Sequence, residues 1–400
     1  QLTVIHGPPG VVQLLPGGQI SVPGAAQPPD IVQPGAPVVA DLESNDSRFS
    51  ANPVLRNNEL YAVQTIEDMG LAALRFLRID RTNNSVLESQ VLIDPAGRGL
   101  AFPSIAVGPT GEIVITVTGA SSSEFASAYA IVGKTSGGVT SFDQPLLLRA
   151  GVDNYERLNS QGFNRWGDYS ATTLDPADPN TFWVNQMFTR ATDMWATQVT
   201  ELIVPLPNEA RWGQPLDGDI DDAASWQTQH GGPPLVSENL VFSRATIPGG
   251  QYIVSFPAAP PGTYVNETVS VRQGGVEFDL AGNDWFVAQH LEVGPFQSNP
   301  QVTIANGTLV SLAGFVAPGP TSAGHVTLDS AQWDTSDLII GSPPAAGATG
   351  SLPGVAGGTG SVTIQNAAQL NVGGTLPVWE QGTVNLVDGT LAANIINHTA

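Results

Sequence analysis

From residue 302 onward one short pattern recurs. VTIANGTLVSL (302–312), HVTLDSAQW (325–333), SVTIQNAAQLNV (361–372) and TVNLVDGTLAAN (383–394) each alternate β-branched and polar residues, turn at Asn or Asp, and start a second short run. Alternation with a period of two places the apolar side chains on one face of a strand. A unit this short cannot bury that face alone, so its copies must stack. With DLIIG (337–341) included, the starts at 302, 326, 338, 362 and 384 are separated by 24, 12, 24 and 22 residues. Such spacing suits the rungs of a parallel β-solenoid. A β-sandwich, with antiparallel rather than parallel neighbours, is the competing reading of 207–400.

The first half repeats a different unit. FPSIAVGPTGEIVITV (102–117) lies against YSATTLDPADPNTFWV (169–184), and ANPVLRNNELYAVQT (51–65) is a third copy. Each reads as strand, tight turn, strand. Further apolar runs follow at 71–80, 85–94, 126–134, 145–150 and 194–204. Four strands in each unit of roughly 50–65 residues is the pattern of a β-propeller blade. In TFWV (181–184) the Trp, Phe and Val are expected on the buried face, and the DPADPN acidics in a turn with Asp175 as its cap. Gly and Pro together, 44 and 32 residues, supply the many chain reversals that an all-β chain requires.

The order RFSANPVLRNNELYA, FPSIAVGPTGEIVI, RWGDYSATTLDPADPNTFW resembles large secreted bacterial β-propellers of the sialidase-like type, over roughly residues 1–206. The later strands, among them VSVRQGGVEFDLAG (269–282), resemble repetitive autotransporter-like bacterial surface proteins. The resemblance implies an all-β chain: a partial β-propeller of four-stranded blades over 1–206, an acidic Gly/Pro-rich linker over 207–242, and a β-solenoid or β-sandwich over 243–400. It also implies an extracellular or cell-surface home. Because the chain opens on Gln1 within a blade-like pattern, it reads as a processed product or a piece of something longer.

Charge narrows the partners. With 36 acidic and 14 basic residues the net charge is −22, which repels a nucleic-acid backbone and anionic lipid. No apolar run approaches the roughly 20 residues of a membrane helix. Without cysteine there are no disulfides, thiolate metal sites or Cys nucleophiles. The partners that remain are the protein itself, in a fibre or surface layer, and extracellular glycans.

Two stretches carry candidate chemistry. In RWGDY, Trp166 offers a stacking platform, and Arg165, Asp168 and Tyr169 offer polar contacts to a ligand. The structural alternative has Trp166 plugging a seam between blades with Arg165 and Asp168 paired. In LDGDIDDAAS, Asp217, Asp219, Asp221 and Asp222 place oxygen ligands as a calcium loop does. The Glu expected at loop position 12 is missing, with Gln227 or Thr228 there instead, and a solvated acidic linker competes with calcium. No other cofactor is indicated. The five histidines, His6, His230, His290, His325 and His398, form no metal motif. Sequons at Asn45, Asn84, Asn266, Asn306 and Asn397 are weak signals.

A sialidase-like hydrolase would need an arginine cluster with a Tyr–Glu pair. Arg56, Arg157, Arg165, Arg190, Glu156 and Tyr169 are the candidates, but the Ser-x-Asp-x-Gly-x-x-Trp box of that family is absent. The leading expectation is a structural or adhesive surface protein, and a polysaccharide hydrolase or lyase is the alternative.

Overall fold

The computed structural model describes residues 2–6, 13–167, 170–228, 230–247, 249–258, 260–319, 321–342 and 358–399. The chain is nearly all β: blade-like antiparallel sheets followed by a parallel β-solenoid of about five turns. Its contacts divide it into Gln1–Asp175 with Pro179–Val204, and Pro176–Asp178 with Pro205–Ala400. Among the described residues no helix is long and apolar enough to cross a membrane.

In the first unit a hairpin, Leu2–His6 with Gln13–Gly18, precedes three antiparallel sheets. The first contains Val54–Arg56, Glu59–Asp68, Leu71–Asp80 and Ser85–Leu92 in sequential order. Its opening turn is made by Asn57 and Asn58, both left-handed (φ 50° and 62°), the conformation a two-residue hairpin turn demands. The second contains Gly99–Val107, Glu112–Ser121, Glu124–Ser136 and Val139–Phe142, and Leu146–Arg149 also pairs with Glu124–Ser136. The third contains Ala171–Leu174, Thr181–Ala191 and Met194–Ile203.

The middle sheet is covered on both faces. Tyr61, Val63 and Phe76 of the first sheet pack with Ile105, Ile113 and Ile115, while Ala106, Val114 and Ala130 pack with Phe182 and Val184 of the third. Double coverage explains why EIVITV is apolar without alternation. The third sheet packs Phe182 and Val184 against the middle sheet on one face. Phe182 and Val184 are buried as expected, but Trp183 between them is 40% exposed and donates its Nε1–H to Asp175 Oδ2 at 2.9 Å. A strand sends neighbours to opposite faces, so all three could not share the core.

In the second unit the chain winds between two sheets. One runs through Asn239–Phe242, Thr263–Val271, Asp284–Val293, Thr308–Val316, Gln332–Ile340, Gln369–Trp379 and Thr390–Thr399, all parallel. The other runs through Gly218–Asp219, Tyr252–Ser255, Gly275–Asp279, Gln301–Ala305, Ala323–Asp329, Thr359–Gln365 and Thr383–Leu386. Parallel pairing settles the choice against a sandwich. Inward residues stack in register: Tyr252, Val276, Val302, Val326, Val362 and Val384 form one column, and Trp285, Leu309, Trp333, Leu370 and Leu391 another. The indole N–H groups inside are satisfied, Trp285 by Asn266 Oδ1 and Trp333 by Ser311 Oγ, each at 3.0 Å. Gly314 faces Trp333, and a Cβ there would lie 2.5 Å from the indole.

The starts at 302, 326, 362 and 384 are thus rung partners, whereas DLIIG lies in the opposite sheet. The step from Val326 to Val362 spans 36 residues of sequence, of which 343–357 lie outside the described residues. On either side of them, the buried Gly358 N–H donates to Ser342 Oγ at 2.8 Å.

Residues 207–242, expected to form a linker, contribute Glu209–Trp212, Gly218–Asp219, Trp226–Gln227 and Asn239–Phe242 to the solenoid sheets. Their aromatic residues explain the recruitment. Trp212 meets Trp226 edge-on at 5.0 Å and stacks on Tyr252 at 6.2 Å, and these rings close the first rung.

Candidate functional site

In the RWGDY stretch Trp166 is 3% exposed, packs edge-on against Tyr155 at 5.2 Å and donates Nε1–H to Thr118 Oγ1 at 3.2 Å. An indole buried this way fills a seam and offers no platform to a ligand. Arg165 pairs with Glu43 at 3.2 Å. Asp168 and Tyr169 lie outside the described residues. Of the proposed hydrolase set, Arg56 donates to the Val107 carbonyl at 3.3 Å, Arg157 Nε to the Asp193 carbonyl at 3.2 Å, and Glu156 Oε1 accepts from the Ala40 amide at 3.1 Å.

The acidic cluster is built into turns. Asp217 Oδ1 accepts from Ile253 N at 2.8 Å, Asp219 Oδ1 from Asp221 N at 2.8 Å, and Asp222 Oδ1 from Ala224 N at 3.0 Å, capping a short 3₁₀ turn. Asp221 Oδ2 accepts from the Tyr264 hydroxyl at 3.1 Å. Burial, then Asp221, pushes that phenol up to about 12. Each carboxylate thus has a local structural use. Among the described residues no group of three or more His, Asp or Glu side chains is gathered so as to hold a metal ion.

The charged centre of the second unit lies elsewhere. Arg211 bonds Asp178 Oδ2 at 2.6 Å and Glu209 Oε2 at 3.1 Å, and Arg272 bonds Asp178 Oδ1 at 2.7 Å and Glu209 Oε1 at 3.2 Å. Arg211 and Asp178 are each 1% exposed. Two cations and two carboxylates close a neutral ring, the form in which buried charge is tolerable. Burial pushes the Asp178 carboxyl up, but hydrogen bonds and charge from Arg211 and Arg272 outweigh it and hold it far below the usual range. Asp178 was expected only as a turn residue; nothing in DPADPN reveals its two arginines.

Next to this ring, along one side of the solenoid, runs a groove of about 700 Å³. It forms where three successive rungs enter the shorter-stranded sheet: Gln251 precedes Tyr252–Ser255, Gln273 precedes Gly275–Asp279, and Gln297 and Asn299 precede Gln301–Ala305. Thr303 and Thr327, register partners on the outer face, extend it. Gly274, on its lining, takes φ +80°, and a Cβ there would sit 2.2 Å from the Arg244 carbonyl. Arg272, in the ion ring, lies just before Gln273, and its carbonyl accepts from Ser298 Oγ.

No Asp, Glu, Lys, Arg or His lines this groove among the described residues. Its polar surface is amide, hydroxyl and backbone. Carboxamides offer donors and acceptors side by side, matching adjacent hydroxyls on a neutral ligand. They supply no general acid or base. The sequence held a faint signal of the site: an amide-rich run precedes the strand in each of three rungs (GGQ, RQGG, QSNPQ), legible as a cluster only once the register is known.

No family model, curated protein or solved structure matches this chain.

Proposed function

We propose that this protein is a non-catalytic surface protein of the extracellular kind, whose β-solenoid binds a neutral glycan along its amide-lined groove. One observation carries the reading: in a chain of net charge −22, a groove of about 700 Å³ is lined, among the described residues, without a single ionisable side chain. Sugar hydroxyls are recognised by planar amides and hydroxyls placed on a rigid scaffold, and here stacked rungs supply the rigidity. The blade-like sheets are then a second, structural module. A hydrolase reading would need two carboxyl groups or their equivalents facing a cleft, and the groove offers none.

Titration calorimetry against a panel of neutral oligosaccharides tests this. Binding of at least one neutral glycan is expected, independent of pH between 5 and 8, and weakened about tenfold or more by Gln273→Ala with Asn299→Ala. Failure of the whole neutral panel, or a double variant that binds as well as the parent, would refute the groove as the site.

A further inference from the structure

The amide-lined groove has a direction. Its strands pair in parallel register, so residues at one position of each rung stand in a line along the solenoid axis. Gly275 pairs with Gln301, and Gln273 and Asn299 each stand two residues before them. Tyr252 pairs with Val276, which sets Gln251 beside Gly275 on the rung before. Thr303 pairs with Thr327 on the rung after. The groove's amides and hydroxyls therefore recur from rung to rung and do not converge on one point. Gln251, Gln297, Asn299 and Gln301 are all exposed.

Neighbouring rungs lie roughly 4.8 Å apart, so the four rungs from Gln251 to Thr327 cover about 14 Å of the axis. That step is close to the advance of one sugar in an extended β-linked hexose chain, whose equatorial linkages keep it straight and flat. An extended peptide advances about 3.3 Å per residue and would fall out of step with the rungs. A curved α-linked glucan would leave the axis after a few residues. Sugar rings also need an apolar surface for their C–H faces, and Ile247, 79% exposed, lines the groove at its Gln251 end. Charge narrows the class again. Glu277 stands on the outer face between its register partners Ile253 and Thr303, and accepts from Gln251 Nε2 at 2.5 Å. A carboxylate held beside the lining residues disfavours a chain of uronates.

We infer that the ligand is an extended, β-linked neutral hexose chain laid along the solenoid axis, one sugar to each of four rungs. This rests on the reading of the groove as a neutral-glycan site and adds the linkage class, the direction and the length. Because the contacts repeat along the groove, recognition falls on the interior of a polymer and needs no chain end.

Titration calorimetry with cello-, manno- and chito-oligosaccharides of one to six residues tests this. In at least one series, binding should strengthen about tenfold from two residues to four and level off beyond. Blocking the reducing end as a methyl glycoside should leave the affinity unchanged. Maltotetraose, the α-linked counterpart, should bind about tenfold more weakly than the best tetramer. Thr327→Val removes one hydroxyl at the last rung. It should weaken the tetramer about fivefold and leave the disaccharide, which can sit on the other rungs, as before. If no neutral sugar of either linkage binds, the glycan reading falls and this inference with it. If neutral sugars bind but one residue binds as well as four, maltotetraose matches the β-linked tetramers, or Thr327→Val leaves the tetramer unchanged, the groove stands as a site and the axial chain is overturned.

Discussion

Within one strand of the blade-like unit, Leu71–Asp80, successive apolar residues serve three separate cores. Leu74 and Phe76 face the middle sheet, Leu77 and Ile79 the opposite side, and Ala72 a third cluster with Trp166. In the solenoid the inward apolar residues between Ala210 and Val378 form one continuous core. Stacked antiparallel sheets divide their apolar surface among interfaces; a winding chain pools it along an axis. In the first unit a defect is confined to the interface between two sheets, and in the second it is felt by the rungs on either side.

The sharpest way to break this contrast is the buried ion ring. Asp178→Ala removes the carboxylate that both guanidiniums of the ring share with Glu209 and should cost about 5 kcal/mol, the upper end for an orphaned buried charge. Calorimetry should show the loss in the solenoid's unfolding transition. Next comes Trp333→Ala, expected to cost about 4 kcal/mol from the cavity left in the column. The same transition should fall, while Phe76→Ala should lower the transition of the blade-like sheets instead. If either variant lowers both transitions equally, the two cores do not act independently.

Acid should give the smallest and least selective effect. Asp178 in the solenoid and Glu112 among the sheets both titrate below their ordinary values in the fold. For Glu112, burial pushes the carboxyl up, but hydrogen bonds from Thr110 and Lys134 prevail. Groups depressed in the folded state stabilise it above the unfolded carboxyl pKa, near 4, and that contribution is lost as pH falls through the folded value. Melting temperatures followed from pH 5 down to 2 should therefore decline for both transitions, more steeply for the one that contains Asp178. Asp178→Asn should flatten the steeper decline.

Much of the solenoid was legible because one face of each strand is wet. Val302, Val326, Val362 and Val384 alternate with polar neighbours, and their spacing already marked true register partners. The spacing misled at Leu338, because both sheets use the same alternation and sequence alone does not say which strand faces which. The linker expectation failed on composition: Gly, Pro and Asp in 207–242 hid strands whose aromatic residues seal the first rung. Trp183 was placed inside because hydrophobicity was weighed above alternation. The groove and the ion ring depend on residues far apart in the chain, such as Asp178 and Arg272, which local pattern cannot join.

The tie between Ser342 and Gly358 has a consequence for how such a chain changes over generations. With Ser342 and Gly358 tied to each other, lengthening the sequence between them costs little more, since loop entropy grows only with the logarithm of length. Val326 and Val362 keep their partnership across 36 positions of sequence, where neighbouring rungs use 24 or 22. Sequence inserted, lost or exchanged between Ser342 and Gly358 is therefore expected to leave the rungs at Val326 and Val362 in register, and a peptide grafted there would leave the stack undisturbed.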